Sequence, residues 1–156
     1  MCFKCTVVAP WCDQTFRENF FTVGDAGYID EDGFLFLVDR KSDMIISGGV
    51  NIYPAEIESV LLTHPKVGDA AVFGIPHDDW GEEVKAVVEP AEGIQPGAEP
   101  GPELTADLLA FLAGRLARYK LPRSIDYVPE LPRDPNGKLY KRRLRDPYWA
   151  NRHRSI

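Results

Sequence analysis

Hydrophobic and polar positions change their spacing several times along this chain of 156 residues, and each change marks an element. Residues 27–30 (GYID) and 34–39 (FLFLVD) are strand-like runs. The Asp-Gly that closes residues 30–33 between them predicts a hairpin. Residues 43–47 (DMIIS) predict a short apolar strand ending at Gly48-Gly49. Pro54 then suits the first turn of a helix, where its missing N–H would be unpaired in any case. Ile57, Val60 and Leu61 follow at helical spacing, and His64-Pro65 stops the helix.

Residues 67–75 and 83–89 predict two strands split by the polar turn PHDDWGE. Residues 89–103, rich in Pro and Gly, predict a surface loop. Leu104, Leu108, Leu112 and Leu116 recur at a helical interval and predict a helix over 105–116, ended by Tyr119-Lys120-Leu121-Pro122. Residues 124–128 predict a last strand and 131–138 a turn-rich segment. Leu139 opens a short basic helix that Pro147 is expected to close. Interspersed strands and helices with one hairpin predict an α/β (α+β) fold, a small mixed β-sheet packed with helices behind a β-hairpin.

Composition narrows the choice of partners. Hydrophobic residues make up 44% of the chain, enough for a real core. A net charge of -6 argues against a nucleic-acid or membrane-surface binder, although the run 138–145 (KLYKRRLR) goes against that balance. No apolar run approaches the roughly 18 residues needed to span a bilayer. The start MCFKCTVVAPWC lacks a signal-peptide core and cleavage site, so a soluble, cytoplasmic protein is expected. Cys2, Cys5 and Cys12 have no fourth ligand or histidine beside them, so reduced thiols are expected and no metal site.

Three places could carry chemistry. Lys138 follows Gly137 on a turn-like Pro-Asn-Gly-Lys, where a compact cation could stabilise an oxyanion or phosphate, or merely sit in solvent. Ser47-Gly48-Gly49 follows a strand and would let the main chain pass close to a ligand, or simply turn from strand to helix. It lacks the spacing of a phosphate-binding loop. Asp25 and Arg40 flank the hairpin, so its closure would bring a carboxylate and a guanidinium together, as a polar patch or as a plain salt bridge. No nucleophile-and-base motif stands out.

Read together, the segments TVGDAGYIDEDGFLFLVDRKSDMIISGGVNIYPAEIE, LARYKLPRSI and LPRDPNGKLYKRRLR resemble the C-terminal part of the AMP-forming acyl-CoA synthetases, with the fatty and aryl acyl-CoA ligases as the nearer branch. The resemblance implies a ligase that joins a carboxylate to ATP and then passes the acyl group from its adenylate to coenzyme A. It implies nucleotide contacts from Asp25 and Arg40, an adenylation role for Lys138, a hinge at Ser42, and a pantetheine passage along Ser47, Gly48 and Gly49. The segment 119–122 and the basic residues near Lys141 would lie near the coenzyme A nucleotide. The substrates implied are ATP/AMP and coenzyme A, with Mg2+ expected for the whole enzyme but no ligands for it identified in this chain.

Two departures qualify that picture. Ser42 is uncharged where the family's hinge usually carries Asp or Lys, and residues 1–13 do not fit the pattern. Residues 1–40 are expected to be an atypical start plus the hairpin tail of a larger N-terminal domain, and residues 41–156 a C-terminal mobile lid domain. The expected partner is therefore the missing N-terminal acyl- and ATP-binding domain, without which the chain would be inactive, with small-molecule substrates and no nucleic acid. The alternatives are a free-standing non-catalytic binding or regulatory module, or a truncated gene product.

Overall fold

A computed structural model describes residues 2–4, 16–17, 20–22, 24–40, 42–94 and 102–150. Cys5, Cys12 and the central part of the predicted Pro/Gly-rich loop lie outside the described residues. The chain divides into two compact units, Met1–Ser42 and Asp43–Ile156.

In the first unit, β1 (Cys2–Lys4), β2 (Phe16–Arg17) and β3 (Phe20–Thr22) form an antiparallel sheet with β3 in the middle. Strands β4 (Asp25–Ile29) and β5 (Leu35–Arg40) form the predicted hairpin. Its loop is wired by Asp30. The Asp30 carboxylate accepts from the backbone N–H groups of Asp32 and Phe34, the Asp30 carbonyl accepts from Gly33, and Gly33 takes a φ of 85°. This is a turn followed by a left-handed residue, a position that glycine occupies without strain.

The second unit is built around β9 (Gly81–Pro90). One edge of β9 pairs antiparallel along its length with β8 (Val67–His77). The other edge is shared: β10 (Ser124–Tyr127) runs parallel beside residues 85–88, and β6 (Ile45–Ser47) meets Gly81 antiparallel. Strand β7 (Val50–Ile52) adds outside β6 and makes the sheet five-stranded and mixed. Alternation along β8 and β9 then separates two cores. Ala70, Val72, Val84, Ala86 and Val88 face a cluster with Ile57 and Leu61 of α1 (Pro54–Leu61) and Leu108 and Leu112 of α2 (Pro102–Ala113). Ala71, Phe73 and Val87 face the other way, towards Leu131, Leu139 and Leu144, the last of these in α3 (Lys141–Trp149).

Among the described residues the outer edge of β8 has no strand partner, and helices cover it. Glu58 of α1 accepts from the Val72 N–H at 2.6 Å and pairs with Lys141 of α3 at 2.7 Å, while the Trp149 indole donates to the Gly74 carbonyl at 3.0 Å. Edge groups satisfied this way offer no template for a further strand.

Three local expectations are corrected. Gly48-Gly49 does not lead from strand to helix but joins β6 to β7 as a two-residue hairpin turn, with Ser47 opposite Val50. Pro147 does not close the last helix but lies inside α3, which runs on to Trp149. A proline there removes one helical N–H, and the anchoring of Trp149 on β8 offsets that loss. The helix expected over 105–116 starts and ends three residues earlier, at Pro102 and Ala113.

Candidate functional site

Lys138 closes a five-residue loop, Asp134–Lys138, with the same wiring as the β4–β5 loop. The Asp134 carboxylate accepts from the N–H groups of Asn136 (2.8 Å) and Lys138 (2.9 Å). The Asp134 N–H donates to the Lys138 carbonyl at 2.8 Å, the Gly137 N–H donates to the Asp134 carbonyl at 2.9 Å, and Gly137 takes a φ of 81°. Pro135 presets the backbone at the position where such a turn favours it. The Arg133 guanidinium clasps the loop from one side, donating to the Gly137 carbonyl at 3.0 Å and pairing with Asp69 of β8. The Lys138 side chain is exposed and makes no ion pair among the described residues. A hydrogen-bonded loop thus presents an exposed cation.

Gly48 and Gly49 have φ values of 56° and 80°, as a tight primed turn requires, and a Cβ on either would meet nothing within 4 Å. The turn is held from behind by the Gly48 N–H, which donates to the Trp80 carbonyl at 2.9 Å. Beside it opens a cleft of about 240 Å³, lined among others by Ser47, Gly48, Trp80, Arg118, Tyr119 and Arg123. The Arg123 guanidinium lies 3.8 Å from the centre of the Trp80 ring, and the His77 imidazole stacks on the same indole with centroids 4.5 Å apart and planes at 11°. Two guanidiniums, the Glu83 carboxylate and the Trp80 and Tyr119 rings thus meet beside a bare main-chain turn.

The Tyr119 element is tied down by its neighbour. Lys120, in the 3-10 turn Arg118–Lys120, reaches both oxygens of Glu56 at 2.7 Å, and that hydrogen bonding holds its amine above the ordinary value of 10.5. Trp80, Arg118 and Arg123 escaped the sequence reading. The available signal was a tryptophan in an otherwise polar turn, followed at a distance by a basic Arg118-Tyr119-Lys120-Leu121-Pro122-Arg123 segment. The Lys141 amine pairs with Glu58 at 2.7 Å.

The cleft beside Gly48 includes Val84 and Leu121, which belong to or pack on the α1/α2 core. The Lys138 loop is anchored through Leu131 and Leu139 in the core on the other side of the sheet, and a separate cleft of about 590 Å³ there is lined by Arg133, Asp134, Pro135, Tyr140 and Arg143. In the first unit, Asp25 and Arg40 stand directly opposite in the hairpin register, with Nε and Oδ1 3.9 Å apart. Ser42 is the last residue of that unit. Among the described residues no three His, Cys, Asp or Glu side chains converge as a metal site. No helix among them is long and apolar enough to cross a membrane.

The family described as the AMP-binding enzyme C-terminal domain matches residues 56–138. The chain is 44% identical over 92% of its length to the fatty acid–[acyl-carrier-protein] ligase ScoC of Streptomyces coeruleorubidus, covering 26% of that protein. It is 48% identical over 85% of its length to the 2-succinylbenzoate–CoA ligase of Geobacillus kaustophilus, again covering 26%. Among solved structures, the o-succinylbenzoate CoA synthetase of Bacillus subtilis in complex with its acyl-adenylate intermediate superposes with a TM-score of 0.74 at 37% identity, over 92% of this chain and 27% of that one. The chain thus spans about a quarter of the length of these relatives.

Proposed function

The chain belongs to the AMP-binding enzyme C-terminal domain family, and on that premise we propose that it supplies the mobile lobe of an ATP-dependent, AMP-forming acid–thiol ligase. The reaction has two halves. A carboxylate attacks the α-phosphate of ATP to give an acyl-adenylate and pyrophosphate, and a thiol then displaces AMP to give a thioester.

The observation that carries this reading is the placement of Lys138 and Gly48-Gly49 within one unit, each anchored in a different core on either side of one sheet. A single docked orientation would not bring both to one reacting carbon. Two orientations would bring them in turn, as two half-reactions on one acyl group require. Lys138 would place its ammonium against carboxylate and phosphate oxygens as negative charge moves between them, a stabilisation that counts most where water is excluded. In the second orientation Gly48 and Gly49, with Ser47, would line the pantetheine tail, and Trp80, Tyr119, Arg118 and Arg123 would receive the nucleotide of coenzyme A. Asp25 would accept hydrogen bonds from ribose hydroxyls with Arg40 beside it. The division between Ser42 and Asp43 supports a pivot at that point. The remaining walls of the pocket, including the acyl site, would come from an N-terminal domain, in a cytoplasmic enzyme of fatty-acid or aryl-acid metabolism.

The test is a complementation assay with the N-terminal domain of a related acyl-CoA ligase. The expected result is carboxylate-dependent ATP–pyrophosphate exchange only when both parts are present. Exchange at normal enzyme rates by this chain alone, or no rescue with any of several N-terminal domains, would overturn the proposal. A free-standing binding module, the second reading, would bind coenzyme A or a protein in calorimetry while failing every complementation.

A further inference from the structure

The 3-10 turn Arg118–Lys120 brings Arg118 and Tyr119 to the cleft, yet little in the turn itself keeps it in shape. None of its three residues is buried, and no side chain caps it. Its backbone supplies two hydrogen bonds, from the Lys120 N–H to the Ala117 carbonyl at 2.9 Å and from the Leu121 N–H to the Arg118 carbonyl at 3.3 Å. A single 3-10 turn of this kind opens readily unless something outside holds it. Leu116 and Leu121 pack on the core, so the hydrophobic anchors lie on either side of the turn and not within it.

Lys120 supplies the hold. Its ammonium donates to both carboxylate oxygens of Glu56 at 2.7 Å and lies 5.8 Å from the centre of the Tyr119 ring. Among the described residues this is the one ion pair that the turn makes with another element. Glu56 is a firm post, in the first turn of α1 beside the fully buried Ile57. The chain enters α1 directly from β7 and the Gly48-Gly49 turn, so the pair straps the Tyr119 side of the cleft to the segment that follows its glycine side. We propose that Glu56 is a positioning residue: acting through Lys120, it fixes the Arg118–Tyr119 wall and with it the affinity of the cleft for coenzyme A. Only the effect on affinity rests on the cleft's proposed role. The simpler alternatives predict other signs. A negative charge near the cleft that did nothing else would repel an anionic ligand, and removing it would tighten binding. An exposed ion pair with no role beyond itself would leave binding unchanged. A lost strap weakens it.

The experiment compares the full chain with its Glu56→Ala and Glu56→Gln variants, by calorimetry with coenzyme A and by amide hydrogen exchange in NMR. Glu56→Ala is expected to bind coenzyme A about fivefold more weakly, the worth of one ordinary hydrogen bond. Glu56→Gln keeps an acceptor for the ammonium on a side chain of the same length, and should recover most of that loss. In Glu56→Ala the Lys120 and Leu121 amides should exchange about fivefold faster. The Arg123 amide, bonded to the Val84 carbonyl, and the Val72 amide, bonded to Glu58, should keep the parent rates. Unchanged or tighter binding by Glu56→Ala would overturn the proposal, as would parent exchange rates at Lys120 and Leu121. Faster exchange at all of these amides would signal a general loss of stability and would overturn it as well. A parent chain that binds no coenzyme A would defeat the cleft's proposed role, while faster exchange confined to Lys120 and Leu121 would still establish Glu56 as the residue that sets the wall.

Discussion

Lys138 shows how far a short loop can be specified by one side chain. Asp134 takes two backbone N–H groups of its own loop, and Arg133 fastens the loop to Asp69. The proposed use of this lysine as a transition-state cation would depend on that frame, so the two residues should be separable. With a complementing N-terminal domain, Lys138→Ala is expected to lower acyl-adenylate formation by about 10²–10³-fold, the usual cost of removing one charge-stabilising donor. It should leave thioester formation from preformed acyl-adenylate within a few-fold of the parent. Asp134→Ala should lower the first step about tenfold by loosening the loop, while Asp134→Asn, which still presents an acceptor oxygen, should recover most of it. Equal losses in both half-reactions for Lys138→Ala would refute the assignment. Lys120 supports a different prediction. Its amine is raised by Glu56, so the pair's stabilisation is fully present below the ordinary lysine value of 10.5 and disappears as pH rises through the higher folded value. Thermal melts of Lys120→Met should therefore sit below the parent by about 0.5–1 kcal/mol at neutral pH and converge with it only in strong alkali. The turn that carries Lys138 and the opposition of Asp25 and Arg40 across the hairpin were legible in the sequence, because each follows from a local turn motif. Trp80, Arg118 and Arg123 were not, since they meet only after β9 and β10 pair.

Among the elements, β6–Gly48-Gly49–β7 and the β8 edge differ in what made them readable. A turn flanked by Ile45-Ile46-Ser47 and Val50-Asn51-Ile52 has the form of a two-residue hairpin, and the second arm was missed because Pro54 draws attention to the helix that follows so soon. Both glycines have positive φ, so Gly49→Val is expected to destabilise the lobe by about 1–2 kcal/mol and to slow thioester formation more than adenylation. A substitution that lowered stability but affected both half-reactions equally would disconnect the turn from the thiol passage. Gly74 makes the parallel point inside the sheet. An added Cβ would stand 2.1 Å from Oε2 of the buried Glu82, whose carboxylate also serves the Ile46 N–H at 3.4 Å. Gly74→Ala should cost about 1–3 kcal/mol, read as a lowered denaturant midpoint with an unchanged slope. No local pattern announces this glycine, because its constraint comes from a neighbouring strand. The same holds for Pro147, whose sequence signal of helix termination was overridden by Trp149 docking on β8.

The division after Ser42 bears on how the lobe could move without unfolding. Among the described residues, every member of the two buried clusters lies at or beyond Ile45, which makes the second unit a candidate to fold by itself. Hydrophobic burial is the main stabilising term of a small domain, and the second unit holds both buried clusters. A chain of residues 43–156 is therefore expected to melt in one cooperative transition within a few degrees of the transition seen for this unit in the full chain. A change of 1 kcal/mol in a domain near this size would already shift the midpoint by about 4–8 °C, so the comparison is sensitive. A large drop, or loss of cooperativity, would mean that the first unit contributes to the core and that a pivot at Ser42 would tear packing apart. An unchanged melt would leave the backbone between the units as the only structure that must bend when the lobe presents Lys138 in one half-reaction and Gly48-Gly49 in the other. An uncharged Ser42 then adds no ion pair that would favour either orientation, and the balance between them would rest on what each face of the lobe meets.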